Sequence, residues 1–89
     1  MNKIYYVYIL RCNDNSLYTG ITTDLNRRFN QHQTKTGAKY TQTHTVIKIE
    51  AFWKVSGRSD ASKLEHKIKK LTKAQKENLI KFPYELNNL

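Results

Sequence analysis

The sequence predicts an α+β domain in which a small, largely antiparallel three-stranded sheet is flanked by helices. Short β-branched and aromatic segments occur early in the chain and again near its middle, and helical segments with capping residues follow them. The predicted order is β-β-α-β-α-α. A chain of 89 residues with 38% hydrophobic residues suffices for one domain with one modest core. We expect this domain over residues 3–81 and a tail over 82–89.

The first two strands form a predicted hairpin. Ile4 to Arg11 is apolar or aromatic almost throughout, and apolar groups on both alternating faces indicate a central strand. Asn13-Asp14-Asn15-Ser16 has the composition of a turn, and Leu17 to Thr22 supplies the returning strand. Tyr8 and Tyr18 share a face only if paired residue numbers sum to an even value, which requires an odd-length loop.

A helix and a third strand follow the hairpin. Thr23 or Asp24 caps a helix that runs to about Gln33. Thr34 to Thr45 is polar and is predicted to be a loop. Val46 to Val55 is apolar and rich in β-branched residues, which predicts a strand.

Two further helices complete the predicted fold. Ser59 or Asp60 caps the first of them, which runs to about Leu71. Thr72-Lys73-Ala74-Gln75 has the form of a capping box and begins the second. This last helix should end by Phe82, because the proline that follows disfavours helical conformation in the residue before it.

The charge balance favours a polyanionic partner. Sixteen lysines and arginines against seven acidic residues give a net charge of +9 at pH 7, which suits DNA, with RNA as the alternative. No predicted helix combines a basic face with a large exposed apolar face, so a membrane partner is not expected. The single cysteine excludes an intrachain disulfide, and the sequence has no bilayer-spanning run or signal peptide. We expect a cytoplasmic protein, located at the nucleoid when it binds DNA.

The first predicted helix carries two polar residues beside its apolar face. At about 100° per residue with Leu25 at zero, Phe29 falls at about 40° and His32 at about −20°, facing the sheet. Arg28 falls at about −60° and can reach across the sheet, whereas Arg27 falls at about 200° and points to water. The alternatives are an arginine whose stem merely covers the core and a histidine that is satisfied within it.

An acidic residue lies on the inner side of the second predicted helix. Glu65 falls about 40° from Ala61, beside the apolar stripe. A buried charge is costly without a partner. Lys69, one turn later, is the simpler partner. A divalent cation is the other, because a single carboxylate completed by water and substrate phosphate is a typical Mg²⁺ arrangement.

The two tyrosines of the hairpin are the third group of candidates. Tyr8 and Tyr18 could serve at a phosphate as donor or base, with packing in the sheet as the alternative. An ordinary phenol has a pKa near ~10, so a base would need a cationic neighbour that lowers it.

The order of these residues along the chain resembles the motif pattern of the GIY-YIG nuclease superfamily. Tyr6-Val7-Tyr8 and Tyr18-Thr19-Gly20 stand where that family has its two signature triplets. Arg28 and His32 resemble its Arg-x-x-x-His helix, and Glu65 matches its metal-ligand glutamate. The similarity covers nearly the whole chain and is closest to the short stand-alone members. It extends to the N-terminal catalytic domain of excinuclease C.

The resemblance implies a Mg²⁺- or Mn²⁺-dependent phosphodiesterase that acts on DNA. By this resemblance Tyr8 would be the general base for water, and Tyr18 would orient the water or the phosphate. Arg28 would stabilise charge on the phosphate, and His32 would support the nucleophile or the leaving group. Glu65 would hold the cation. Family members differ in which tyrosine is the base, so that assignment stays open.

Candidate nucleic-acid contacts flank these residues in sequence. Lys35, Lys39 and Arg58 are expected to follow the phosphates of the bound strand. The segment Gly37-Ala38-Lys39-Tyr40-Thr41 resembles a loop common among the short members, which adds Tyr40 to the candidates. A solvated loop is the alternative interpretation of Lys39 and Tyr40.

The sequence departs from the family pattern at three places. Tyr6 replaces the glycine of the first triplet, and Thr19 replaces the isoleucine of the second. Asn78 is the candidate by position for a late asparagine that many members have in the site.

An endonuclease is the expected function, and two alternatives stay open. One is a catalytically silent nucleic-acid-binding module on the same basic face, and the other is a protein-interaction domain. Binding alone does not need an inward carboxylate, since a negative charge near phosphate opposes binding unless a cation intervenes. Substrate choice would come from a protein partner or from DNA structure such as nicks, flaps or branches, including those formed in repair.

Overall fold

A computed structural model of the chain describes residues 3–34 and 43–89. Its elements, in chain order, are β1 (Ile4–Cys12), β2 (Leu17–Thr22), α1 (Leu25–Gln33), β3 (Val46–Ser56), α2 (Arg58–Lys69), α3 (Lys73–Lys81) and a 3-10 helix (Pro83–Asn88). The strands form one antiparallel sheet in the order β2-β1-β3, so the first strand is central. The predicted class and element order are confirmed. None of the helices in the two described ranges is long and apolar enough to span a bilayer.

The register of the hairpin meets the condition set by its two tyrosines. Tyr8 pairs with Gly20, and the other β1–β2 pairs keep the same even sum of residue numbers. The amide of Cys12 donates to the carbonyl of Ser16 at 2.9 Å. Asn15, inside the turn they close, has φ 71°, as in three-residue hairpin loops with a left-handed residue. The odd-length loop is therefore confirmed, and both tyrosines project to one face of the sheet.

The sheet separates two apolar clusters. One face of β1 packs against α2 and α3, and its buried residues are Val7, Ile9, Ala61, Ile68 and Leu79. The other face is covered by Leu25 and Phe29 of α1, and its buried residues are Tyr8, Leu10, Cys12 and Val46. The candidate phenols thus lie under α1, while Glu65 belongs to a helix that packs on the opposite side.

The ends of the helices differ in part from the prediction. The cap of α2 is Gly57, not Ser59 or Asp60, and the helix begins at Arg58 and ends at Lys69. Gly57 has φ 90°, a conformation that glycine adopts without steric cost. A side-chain cap was therefore the wrong expectation.

The helix α3 and the C-terminal segment follow the capping and proline signals. Both hydrogen bonds of the predicted capping box form between Thr72 and Gln75, and the helix stops before Phe82 as expected. Residues 83–88, assigned to a tail, form a 3-10 helix whose Leu86 packs against the core. The indole Nε1 of Trp53 donates to the carbonyl of Pro83 at 3.2 Å.

Candidate functional site

The Tyr8 hydroxyl lies at the centre of the candidate site. Tyr8 is on the central strand and is 1% exposed. Its Oη lies 2.9 Å from Nε2 of His32, which α1 holds over the sheet. His32 is completely buried. This hydrogen bond joins the first triplet of the hairpin to the Arg-x-x-x-His helix.

Gly20 makes room for this phenol. Across the β1–β2 pair, a Cβ at position 20 would lie 2.5 Å from the Tyr8 Oη and 2.7 Å from its Cζ. It would also lie 3.2 Å from Cε2 of Tyr18. These separations are too short for any side chain, so a glycine is needed for the hydroxyl to cross the backbone of β2.

Tyr18 forms the outer part of the same aromatic group. Its ring centroid lies 6.5 Å from that of Tyr8 and 5.2 Å from that of His32. Tyr18 is half-buried, so of the two phenols it is the one nearer to solvent. Nζ of Lys69 lies 6.0 Å from the Tyr18 ring centroid, within the range of a cation–π contact.

The electrostatics of Tyr8 connect it to the remaining candidates. Burial raises the pKa of Tyr8 to about 12, because it disfavours the phenolate. A hydrogen bond from the Arg28 guanidinium, and its charge, act in the opposite direction and lower that pKa. The negative charge that Tyr18 carries when ionised, and that of Glu65, raise it. The structure therefore groups Tyr8, Tyr18 and Arg28, with His32 in direct contact with Tyr8, and Glu65 influences this group through its charge.

Burial and Arg28 keep His32 neutral. Loss of hydration, and then the neighbouring positive charge, lower the pKa of His32 to about 4. At neutral pH its imidazole is therefore uncharged. Arg28 itself is held by Gln31, whose Oε1 accepts from Arg28 Nη1 at 3.0 Å.

Glu65 has the simpler of its two expected partners. Its Oε2 lies 3.1 Å from Nζ of Lys69, and the glutamate side chain is 22% exposed. Within residues 3–34 and 43–89, no group of three or more His, Cys, Asp and Glu side chains could hold a metal ion. A single accessible carboxylate that also affects the Tyr8 phenol does fit a hard cation that keeps most of its water and adds a phosphate oxygen.

Arg58 lies in a basic cavity beside the site. The cavity has a volume of about 430 Å³, and Arg28 also lines it. Two cations that the sequence interpretation missed, Lys3 and Arg27, complete it. Arg27 is exposed, as predicted, yet it faces this cavity. Periodicity could orient Arg27 only relative to its own helix, and no sequence signal marked Lys3.

The other predicted residues are placed as follows. Lys35, Lys39 and Tyr40 lie outside the described residues. Asn78 donates through Nδ2 to Oε2 of Glu85 at 2.8 Å, which ties it to the C-terminal 3-10 helix.

Tyr6, the unusual residue of the first triplet, points to a different cavity. Its ring packs edge-on against Phe52 with centroids 6.0 Å apart. Both line a cavity of about 710 Å³ between the start of α1 and β3. That cavity is larger than the basic one, but it contains none of the residues grouped around the Tyr8 hydroxyl.

Comparison with known proteins agrees with this arrangement. The GIY-YIG catalytic domain matches residues 4–78 of the chain. A UPF0213 protein of Fusobacterium nucleatum is 48% identical over 79 residues, which cover 89% of this chain and 79% of that protein. A UPF0213 protein of Haloquadratum walsbyi is 42% identical over 87 residues, 98% of each chain.

Two solution NMR structures resemble the fold. A UPF0213 protein from Bacillus halodurans is 39% identical with a TM-score of 0.57, and the match covers 94% of this chain and 93% of that protein. A protein from E. faecalis is 41% identical with a TM-score of 0.60, and the match covers 96% of this chain and 94% of that one. With the two triplets, the Arg-x-x-x-His helix and the glutamate in place, the chain belongs to the GIY-YIG family, in its UPF0213 group.

Proposed function

We propose that this protein is a divalent-metal-dependent endonuclease that hydrolyses phosphodiester bonds in DNA. The observation that carries the proposal is the convergence at the Tyr8 hydroxyl. His32 contacts it directly, and Arg28, Tyr18 and Glu65 all influence its pKa. Packing alone would not require a buried phenol, a buried imidazole and a guanidinium around one point, because each polar group costs free energy when it leaves water.

Proton transfer in this proposal runs from water through Tyr8 to His32. With its own proton on Nδ1, neutral His32 accepts the phenolic proton at Nε2, across the 2.9 Å contact. In the same step the Tyr8 oxygen takes a proton from the attacking water, so a phenol with a raised pKa serves as a general base without a separate phenolate. The lowered pKa leaves the imidazole uncharged at neutral pH, and because it also makes His32 a weak base, His32 takes the proton only as the water loses its own.

Arg28 and Tyr18 act on the phosphate. Arg28 lowers the pKa of the Tyr8 phenol, which supports a guanidinium near the place where negative charge grows during attack. Stabilisation of such charge by a fixed donor is commonly the largest electrostatic contribution to catalysis. Tyr18, the phenol nearer to solvent, orients the phosphate or the water by hydrogen bonding.

Glu65 holds the cation, Mg²⁺ or Mn²⁺, together with water and a phosphate oxygen. When bound, the cation would supply Lewis-acid stabilisation of charge on the phosphate and the leaving oxygen. Lys69 balances the charge of Glu65 at 3.1 Å and would have to move aside. Because Lys69 is 49% exposed, its release costs little.

The net charge of +9 supports a nucleic-acid substrate. We infer DNA as the substrate and nicks, flaps or branches as the structures selected, with RNA as an outcome of the test. A protein partner is the second possible source of selectivity. The proposed location is the cytoplasm, at the nucleoid.

A nicking assay with two matched variants tests the proposal. Supercoiled plasmid is incubated with wild type, Glu65→Gln and Lys69→Met in Mg²⁺ or Mn²⁺, and with wild type in chelator. If Glu65 only balances Lys69, the two variants should behave alike. If Glu65 holds the cation, we expect Glu65→Gln to lose nicking at least ~100-fold while Lys69→Met keeps it.

Two results would contradict the proposal. Equal nicking by all three proteins would indicate a contaminating nuclease. Salt-sensitive DNA binding without nicking would instead support the silent binding module.

A further inference from the structure

The basic cavity beside the site is built by parts of the chain that only the fold brings together. It has a volume of about 430 Å³ and lies between the start of β1, the end of β2, the first turns of α1 and the start of α2. The amide of Gly57 donates to the carbonyl of Lys3 at 2.8 Å. This bond holds the start of β1 beside the start of α2, so that Lys3 and Arg58 line the same cavity.

Positive charge dominates the lining. Lys3, Arg27, Arg28 and Arg58 contribute four cations, and Asp24 is the single acidic residue that lines the cavity. None of these four cations, nor Asp24, takes part in an ion pair within the described ranges. The cavity therefore attracts anions.

The carboxylate of Asp24 already has a structural role. Its Oδ1 accepts from the amide of Arg27 at 3.1 Å as the cap of α1. The amide of Asp24 in turn donates to Oγ1 of Thr22 at 3.1 Å. These bonds hold Asp24 at the helix end, so its presence in the cavity does not require a cationic partner there.

Arg28 connects the cavity to the catalytic group. It lines the cavity, and its guanidinium lowers the pKa of the Tyr8 phenol. A phosphate at Tyr8 and an anion in the cavity would therefore lie on two sides of one guanidinium. Successive phosphates of one nucleic-acid strand have this relation, whereas an isolated small anion would need only one of the two positions.

We propose that the cavity lined by Lys3, Arg27 and Arg58 is a phosphate-binding subsite for the nucleotide next to the scissile phosphodiester. The inference rests on the proposed function, since it takes the phosphate at Tyr8 as the one that is cleaved. Arg27 and Arg58 position the strand, and Arg28 is shared between the two phosphates. Sequence selectivity is not expected from these contacts, because phosphate contacts fix position without reading bases.

The test compares two double variants that remove the same charge. Arg27→Ala/Arg58→Ala empties the cavity of two cations, while Lys63→Ala/Lys67→Ala removes two exposed cations of α2 that do not line it. Affinity for a fluorescent DNA oligonucleotide is measured against salt concentration by anisotropy, with thermal unfolding as a check on folding. We expect the cavity variant to bind at least ~10-fold more weakly and its salt slope to fall by about two, with a smaller change in the control. An equal loss of DNA affinity in the two double variants would overturn the proposed subsite.

Cleavage kinetics separate this inference from the proposed function. A residue that holds a flanking phosphate equally in the ground and transition states raises KM and leaves kcat nearly unchanged. We therefore expect the cavity variant to raise KM at least ~10-fold with kcat within about threefold of wild type. If wild type cleaves but the cavity variant has unchanged KM, the subsite is wrong and the nuclease proposal stands. If wild type does not cleave, the nuclease proposal fails, whatever the cavity variant does to binding.

An amide-resolved titration supplies a direct readout. NMR spectra of the Glu65→Gln protein are recorded with a 5′-phosphorylated dinucleotide as the probe. We expect the largest amide shifts at residues 23–28 and 57–58, and their disappearance when Arg27 and Arg58 are replaced. Shifts confined to other surfaces would contradict the proposal.

Discussion

Tyr8 and Gly20 face each other across the hairpin so closely that a methyl group on Gly20 would lie 2.5 Å from the Tyr8 hydroxyl oxygen. The phenol reaches His32 only by crossing the β2 backbone at this point. The glycine of the second triplet is therefore explained by steric exclusion and not by backbone conformation, since its φ is not positive.

The first test follows from this contact. Gly20→Ala should displace the Tyr8 ring and destabilise the fold by about 1–3 kcal/mol, the usual cost of overpacking. In a Tyr8→Leu background the same substitution should cost clearly less, because the obstructing hydroxyl and Cζ are gone. Urea unfolding of the four proteins in this cycle measures the coupling. Equal costs in both backgrounds would show that the steric account is wrong.

The second test concerns the pH dependence of stability. The pKa of His32 is lowered to about 4 in the folded protein, against about 6.5 in an unfolded chain. The unfolded state therefore binds a proton first as the pH falls. Stability should be full above about pH 6.5 and should decline towards pH 4, by on the order of 3 kcal/mol in total.

The control for this test is His32→Gln, which keeps a polar group beside Tyr8 but does not titrate. Arg28, Tyr8 and Tyr18 surround the imidazole, and all are retained in the variant. Glu77 and Asp14 have lowered pKa values, and their stabilisation is lost at lower pH in both proteins. Parallel stability curves between pH 6.5 and 4.5 would contradict the assignment of His32 as a buried neutral base.

The third test uses Thr19, the threonine in place of the family's isoleucine. Thr19 is 3% exposed, and its Oγ1 has no hydrogen-bond partner within the described part of the chain. A buried hydroxyl without a partner costs about 1–3 kcal/mol, so Thr19→Val should raise the free energy of unfolding by about 1 kcal/mol. On the same strand, Thr22→Val should destabilise, because Thr22 Oγ1 accepts from the Asp24 amide. A destabilised Thr19→Val would indicate a hidden role for that hydroxyl.

The fourth test concerns an ion cluster that the sequence did not reveal. Arg11 donates through Nε to Glu50 at 2.9 Å and through its two terminal nitrogens to both oxygens of Glu77 at 2.5 and 2.6 Å. The Arg11 and Glu50 side chains are each 13% exposed. Arg11→Met should cost about 3 kcal/mol, because it removes the charge shared by the largely buried Glu50 and by Glu77 and leaves them only exposed lysines as partners.

Lys73→Met is the matched control for this test. Lys73 also pairs with Glu77, at 3.6 Å, but it is 52% exposed, so its loss should cost less than about 1 kcal/mol. Both values come from urea unfolding at one pH. Similar costs for the two variants would mean that burial does not govern this cluster.

Local periodicity accounts for much of the site. The helical angles that put Leu25, Phe29 and His32 on one face are confirmed by their packing beside Tyr8. The even register of the hairpin is the one that the two tyrosine positions require if both phenols are to share a face. These features depend on the 3.6- and two-residue repeats, which a sequence carries directly.

What the sequence could not supply depends on contacts between distant segments. Glu50 is the extra residue where the β1–β3 register shifts between Ile9 and Leu10, and nothing local marks such a bulge. The basic cavity needs the Gly57–Lys3 hydrogen bond between two elements. Helical periodicity placed Glu65 on the inner side of its helix. It could not decide whether Lys69 or a cation is the partner of Glu65, because that depends on side-chain conformation.

The most direct test of the account asks whether the convergent side chains act as one unit. Single-turnover cleavage of a nicked or branched DNA is compared among wild type, Tyr8→Phe, Arg28→Ala and the double variant, with Mg²⁺ saturating. Each single variant should lose at least ~100-fold in rate, and the double variant should lose little more than the worse single, because groups that share one transition state are not additive. Two results would contradict a common catalytic site. One is a double variant whose loss in rate equals the product of the two single losses, and the other is a wild-type rate no higher than that of the variants.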